Sequence, residues 1–344
     1  MGLSKRSIDV QVYEEELLAW LPRQIIDCHV HVGLKEHCGA IAPERIAANW
    51  AIEVGADQTW QQLRSNLDML FPEQEVHVLA FGVPFREVDL VQNNDYVLRG
   101  VLDPANRAAG LFVTRPEWDA SLIELAMSRG FVGIKPYPDL APHKNGEPSI
   151  FDFLPHAHLR VLDACGGILL LHLPRKRRLG DPDNIRELIE IHNMYSNIKI
   201  IVAHIGRAFC LPTAQKGLPH LVEYPRIFFD TAANLNADVF QYALEIIGPD
   251  RILYGSDLPI TLMRGVREHL GENYINYTDA PYSWNVNRKS PNEEAKYTYY
   301  LYEEIKALIK AVQRAGLGMA EFEKIMRSNM ATLFEDSAYK REHS

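Results

Sequence analysis

The sequence predicts an α/β chain folded as a (β/α)8 TIM barrel with extra C-terminal helices. Eight short runs rich in β-branched, aromatic and other apolar residues alternate with amphipathic helical stretches from residue 24 to about residue 260. Several of those runs end in histidine or aspartate, at the strand ends where barrels of this kind build their sites. No Gly-rich fingerprint follows the first run, as an open dinucleotide-binding sheet would require.

The runs are Gln24 to His31, Val76 to Val83, Gly110 to Thr114, Phe131 to Lys135, Ile168 to His172, Lys199 to His204, Ile227 to Asp230 and Arg251 to Ser256. Stretches such as Glu117 to Met127, Asp183 to Met194 and Asp238 to Ile247 have a helical apolar period and return the chain for parallel pairing. Two connections exceed the usual length of about 2 to 6 residues: Gly33 to Asp57 after strand 1, and Leu258 to Asn292 after strand 8. Both fall on the C-terminal face. Glu293 to Ala315 and Met319 to Phe334 read as two helices, separated by Gly316 and Gly318, that pack on the barrel exterior. The expected organisation is one domain over 1–344, with the barrel at about 24–260 and the C-terminal loop and helices at about 261–336.

The chain has 344 residues, 36 Lys+Arg against 45 Asp+Glu, and a net charge of −9. An acidic balance argues against a surface that coats nucleic acid or an anionic membrane, because phosphate binding needs an excess of Lys and Arg. No apolar run reaches the length of about 18 residues that spans a bilayer, and the first twenty residues carry acidic groups where a signal peptide needs its apolar stretch. A cytoplasmic location is expected. Cys28, Cys38, Cys165 and Cys210 form no CxxC pair and read as free thiols.

The strongest local signal is Asp27-Cys28-His29-Val30-His31. Residues two apart in a strand face the same side, so His29 and His31 both project at the barrel mouth. Neutral imidazoles sharing a divalent cation satisfy each other's lone pairs, and the alternative is two polar residues solvated at a strand end. His156 and His158 have the same spacing inside a helical stretch, where they diverge by about 200°, and are not expected to be joint ligands. Three more runs end in ligand-type residues: ILLLH in His172, IIVAH in His204 and ILYGSD in Asp257. A fully buried strand prefers Val, Ile and Leu throughout, so this convergence points to a shared site.

These segments resemble the amidohydrolase superfamily of metal-dependent barrels, and more closely its amidohydrolase 2 branch, which includes aminocarboxymuconate semialdehyde decarboxylase and several lactonases. The matching residues are DCHVHVG (27–33), LLLHLP (169–174), IVAHIGR (201–207) and YGSDLP (254–259), in the family's order. The resemblance implies that His29, His31, His172 and Asp257 surround one divalent metal, zinc with manganese as the alternative, and that His204 stands beside the reacting groups. It implies that Asp27 lies beneath the site. Lys135, in VGIKPYP, stands where binuclear members carry a bridging lysine; the branch usually holds one ion, so Lys135 is expected to face substrate, although the sequence leaves the bridge open.

A cation at such a site lowers the pKa of water from 15.7 towards about 7. Asp257 and His204 are the expected catalytic pair, Asp257 moving the water proton and His204 donating to a carbonyl oxygen. No GxSxG elbow is present, and neither Ser256 nor Cys28 has the partners that covalent catalysis needs. Arg175 and Arg207 follow strands 5 and 6 and are expected to bind a substrate carboxylate, whereas Lys176 to Arg178 read as a solvated run. Tyr137 is expected at the substrate, with Tyr282 and Trp284 as further wall residues. The expected function is hydrolysis of an amide or lactone of a small anionic molecule, with no nucleic acid or membrane partner and a homo-oligomer left open. The alternative is non-oxidative decarboxylation at the same site, disfavoured where Arg207 stands in place of the glutamate of the HxGE found in several decarboxylases of the group. A barrel that binds without turnover is the rival from a different class.

Overall fold

A computed structural model describes residues 5–335 except 49, 56, 143–145 and 284. The eight runs form β1 (Gln24–His31), β2 (Glu75–Phe81), β3 (Ala108–Val113), β4 (Gly133–Lys135), β5 (Ile168–Leu171), β6 (Lys199–Val202), β7 (Ile227–Asp230) and β8 (Ile252–Leu253). They pair in chain order as one parallel sheet. Helices between them, among them Leu90–Val101, Pro182–Met194 and Ala237–Ile246, cover the outside.

The alternation of side chains separates two apolar layers. Leu169, Leu171, Ile200, Val202, Ile227 and Phe229 pack with helix residues, while Ile168, Leu170, Ile201 and Leu253 fill the barrel interior. Burying both faces of each strand explains why the runs read as continuous apolar stretches and not as alternating ones.

The first and last strands meet only at their C-terminal ends. Cys28 N–H donates to Tyr254 O at 2.9 Å, Asp257 N–H to His29 O at 2.9 Å and His31 N–H to Leu258 O at 2.8 Å. At the opposite end the seam is covered by the C-terminal segment: Tyr254 N–H donates to Ile325 O, and Asn329 Nδ2 donates to Ile252 O at 2.8 Å. Ile325 lies in the widened helical turn Lys324–Ser328. A turn of that kind interrupts the ordinary helical ladder, and here one of its carbonyls accepts the amide of Tyr254, the residue that follows β8.

The C-terminal helices therefore differ from the exterior packing expected of them. Tyr300–Arg314 lies outside, against Ala237–Ile246, but Met330 and Leu333 of Asn329–Glu335 join the interior cluster with Ile26, Leu79 and Leu253. Heptad-like apolar spacing alone does not tell a barrel plug from a barrel cladding. The long connection after β8 also carries structure of its own, the antiparallel hairpin β9 (Gly265–Leu270) and β10 (Asn273–Thr278). No helix of the described residues is long and apolar enough to cross a membrane.

Because Met330 is fully buried inside the barrel, Met330→Ala is expected to lower the unfolding free energy by about 2–5 kcal/mol. Urea denaturation followed by circular dichroism reads this directly, and a loss below about 0.5 kcal/mol, the range of ordinary surface substitutions, would place the residue outside the core.

Candidate metal centre

A bulge in β1 positions its histidines. Asp27 pairs with Val78 but Val30 pairs with Ala80, so β1 holds one residue more than β2 across this step. Cys28 lies in the interior cluster, while Val30 and Val32 pack with the helices. His29 and His31 therefore point inward together, as their spacing predicts, with ring centroids 5.7 Å apart. Asp257 sits in phase with interior Leu253 and Gly255. Gly255 is required there: a Cβ would come within 2.8 Å of the His29 Cβ.

Asp257 Oδ1 lies 3.5 Å from His29 Nε2 and 3.2 Å from His31 Nε2. One donor atom from each of the three residues falls within 4.8 Å of the other two. The state of His29 follows from its other nitrogen. Nδ1 is 2.8 Å from the carboxylate Oδ2 of Asp230, which accepts a hydrogen bond, so Nδ1 carries the proton and Nε2 presents its lone pair. Burial, followed by the Lys135 charge, holds the His29 pKa well below its ordinary value and keeps the ring neutral. Burial opposes ionisation of Asp257, but the His31 hydrogen bond and nearby His29 outweigh it and hold this carboxyl below the usual range. A lone pair of His29 thus faces a carboxylate oxygen with no proton between them. That arrangement fits a divalent cation.

His204 reaches the same space by a different route. Ile201 of β6 and Ala203 just after it face the interior, so simple alternation would turn His204 outward. Instead the chain makes a turn over His204–Arg207 with four positive φ angles, 57°, 47°, 62° and 62°. Left-handed backbone costs an L-residue about 1–2 kcal/mol, and runs of it are rare. The turn brings the His204 ring to 4.8 Å from His29 and 5.2 Å from His172. Its amide donates to Asp230 Oδ1 at 2.6 Å, and its Nδ1 donates to Ala232 O at 2.8 Å. A carbonyl only accepts, so neutral His204 offers Nε2 as an acceptor and becomes a donor there only after gaining a second proton. The sequence expectation of a ready donor is corrected to that extent.

His172 follows interior residues Ile168 and Leu170 in phase, and its ring lies 5.0 Å from that of Tyr137. Its Nδ1 is buried without a hydrogen-bond partner, and burial keeps the imidazole neutral by lowering its pKa strongly. It is not one of the three residues whose donor atoms converge within 4.8 Å. Lys135 is completely buried at the end of β4, its Nζ is 4.9 Å from the Phe81 ring centroid, and it has no hydrogen-bond partner. Desolvation lowers its pKa to about 8. Asp27 Oδ1 accepts from the amides of His29 and Ser256, tying β1 to the segment after β8, and burial raises its carboxyl to about 7.

His29, His31, His172, His204 and Asp257 open into a cavity of about 440 Å³ whose wall includes Tyr137, Arg207, Phe209 and Tyr274; Lys135 and Asp27 do not line it, so the expectation that Lys135 faces substrate is corrected to a charge buried behind the site. Arg207 donates to Leu173 O at 3.2 Å and has no carboxylate partner among the described residues. Arg175 behaves otherwise: its guanidinium forks onto the Glu187 carboxylate at 2.7 and 3.1 Å and also reaches Asn184. A buried glutamate on the following helix neutralises it, so the expectation that Arg175 grips substrate gives way to a structural brace. Arg45 and Arg86 also line the cavity, but both pair with Asp139. Tyr282 lines a neighbouring groove with Gln58 and Met263, and Trp284 lies outside the described residues. Tyr274, from the hairpin, takes the wall position expected of them.

Asp230 was not singled out by the sequence reading. It ends β7 as IFFD, the strand-end position that drew attention to His172 and His204, and that position was its signal. It orients both His29 and His204 through its two oxygens. His156 and His158 diverge as expected, one to Tyr195 Oη and the other to Trp118 O.

Fold and donor set together define a barrel enzyme with a histidine and aspartate centre at the C-terminal ends of its strands. The chain matches the family model described as Amidohydrolase over residues 26–334, and it belongs to that family, whose members are metal-dependent enzymes. Solved structures share the fold at low identity. An amidohydrolase from Burkholderia multivorans with bound zinc is 14% identical, with a TM-score of 0.59 over 91% of this chain and 99% of that one. A probable 2-pyrone-4,6-dicarboxylic acid hydrolase from Acinetobacter baumannii with citric acid bound is 19% identical, with a TM-score of 0.56 over 90% and 99%. A dihydroxybenzoic acid decarboxylase from Polaromonas sp. JS666, with manganese and 2-nitroresorcinol, is 15% identical, with a TM-score of 0.52 over 91% and 97%. No curated protein matches the sequence.

Asp230→Asn removes the carboxylate that fixes the His29 tautomer. Metal affinity, measured by competition with a chelator, is expected to fall about 10–100-fold with the fold retained. An unchanged affinity would mean that the Asp230 carboxylate does not tune metal binding through His29.

Proposed function

We propose that this chain is a metal-dependent hydrolase that adds water to an amide or lactone carbonyl of a small carboxylate-bearing molecule. The observation that carries the reading is the His29 lone pair facing the Asp257 carboxylate at 3.5 Å, at the floor of a cavity walled by Arg207. His29 Nε2, His31 Nε2 and Asp257 would hold the cation, with His172 completing the set; zinc fits a mixed imidazole and carboxylate site, and manganese is the alternative.

When bound, the cation supplies Lewis acidity and makes hydroxide available near neutral pH. Asp257, ionised beside His31 and His29, accepts the proton of the attacking water. His204 presents Nε2 towards the cavity, takes that water proton over from Asp257 and passes it to the leaving nitrogen or oxygen, so that both side chains return to their starting states. Arg207 pairs with the substrate carboxylate, since its own surroundings offer it only a carbonyl. Tyr137 closes one side of the substrate beside His172. Lys135 lies beneath these groups and contributes positive charge to the floor.

Non-oxidative decarboxylation is the second reading. It is favoured by the aromatic wall of the cavity, where Tyr137, Phe209 and Tyr274 suit the ring of an aromatic acid. A panel of lactones, amides and aromatic acids, assayed with zinc or manganese for acid production and for CO2, separates the two. Acid release without CO2 is expected; CO2 release from an aromatic acid would replace the hydrolase reading with the decarboxylase one.

Arg207→Gln is expected to raise KM for a carboxylate-bearing substrate by about 10–100-fold, the range of a lost charge-assisted hydrogen bond, while kcat changes by less than about threefold. Steady-state kinetics on a matched neutral analogue should show no KM change, and an equal effect on both substrates would remove Arg207 from carboxylate binding.

A further inference from the structure

Beside the catalytic cavity lies a second chamber of about 300 Å³, and Phe85 belongs to the lining of both. In the loop after β2, Pro84 and Arg86 face the cavity, Val83 faces the chamber and Phe85 borders both. In the helix Trp50–Val54 of the long first loop, Ala51 faces the cavity and its neighbour Ile52 faces the chamber. The chamber lining is mostly apolar, with Leu34, Cys38, Ile41, Ile52, Val83 and Val88 around Phe85. Its polar members ask for no ligand: Asn93 Oδ1 accepts from Val83 N–H at 2.8 Å and its Nδ2 donates to Val32 O, while Lys35 and Asp57 sit exposed at the rim.

We propose that this chamber is a subsite for an apolar substituent of the substrate, an alkyl or aryl group carried beyond the bond that reacts. The substrate is then an amphipathic acid: its carboxylate meets Arg207, its reacting carbonyl lies over His29, His31 and Asp257, and its apolar end passes Phe85 into the space beneath the first loop. The assignment rests on the catalytic reading of the adjoining cavity. An apolar pocket adjoining a site of convergent polar groups, with one side chain, Phe85, shared by both linings, suits a substrate that carries both polar and apolar parts. Moving the substituent out of water supplies the binding, while the polar residues supply the orientation.

The test uses the full-length protein and 4-alkylbenzoates from benzoate to 4-butylbenzoate, with Kd measured by calorimetry. Each methylene is expected to tighten binding about three- to fourfold, the factor that corresponds to about 0.8 kcal/mol per buried CH2. 4-Butylbenzoate is also expected to slow maleimide labelling of the half-buried Cys38 about tenfold, read by peptide mass mapping, whereas benzoate does not. Ile52→Trp, a half-buried position that fills the chamber, should abolish both the methylene gain and the Cys38 protection and leave the benzoate Kd unchanged. A flat Kd across the series, or a gain that survives Ile52→Trp with Cys38 unprotected, overturns the proposal. Failure of benzoate itself to bind, with the methylene gain intact, would sink the carboxylate role of Arg207 and still support the chamber.

Discussion

The lone pair of His29 Nε2 and the ionised Oδ1 of Asp257 face one another across the closing seam of the barrel, and much of the local architecture exists to hold them there. Left alone they repel; a shared cation turns the repulsion into binding. The three hydrogen bonds that join β1 to the segment after β8 bracket these two side chains, and one runs from the Asp257 amide to the His29 carbonyl. Gly255 leaves room for the His29 side chain, and Asp27 ties the two strands together from beneath. Barrel closure and site assembly are thus the same event, because a barrel that failed to close would leave the donors on separate strands.

Strain is concentrated in the same place. His204, Ile205 and Arg207 take left-handed backbone in succession, and Asp257 is left-handed as well, with φ 62°. Such conformations persist only where the surroundings over-determine them. Here Asp230 accepts the His204 amide, Ala232 O accepts its ring, and Ile205 is fully buried among the helix-facing residues. The cost of the turn is offset by packing, and its consequence is that His204 and Arg207 both enter the mouth from one short segment. A right-handed helical start after β6 would have sent one of them elsewhere.

Much of this was legible in the residues. Apolar runs alternating with helical stretches specify a parallel sheet because both faces of each strand must be buried, and eight of them close. His29 and His31 share a face because strand geometry has period two, and His172 and Asp257 stand in phase with interior neighbours on β5 and beyond β8. The hairpin β9 and β10 was also within reach, since NYINYT alternates and Gly271, with φ 61°, marks the turn. It was passed over as loop because it lies in a long connection rich in aromatic residues. Arg175 was misread for a different reason: position after a strand says where a guanidinium starts, and only the presence of Glu187 on the next helix says where it ends.

By itself the sequence determined the barrel, the strand ends that carry ligand-type residues and the family they resemble, because those depend on local periodicity and on residue type. Only the tertiary structure decided which of these residues meet. The bulge in β1, the left-handed turn after β6, the plugging of the barrel by Met330 and Leu333 and the chamber behind Phe85 all arise from contacts between segments far apart in the chain, where packing and hydrogen bonding override local preference.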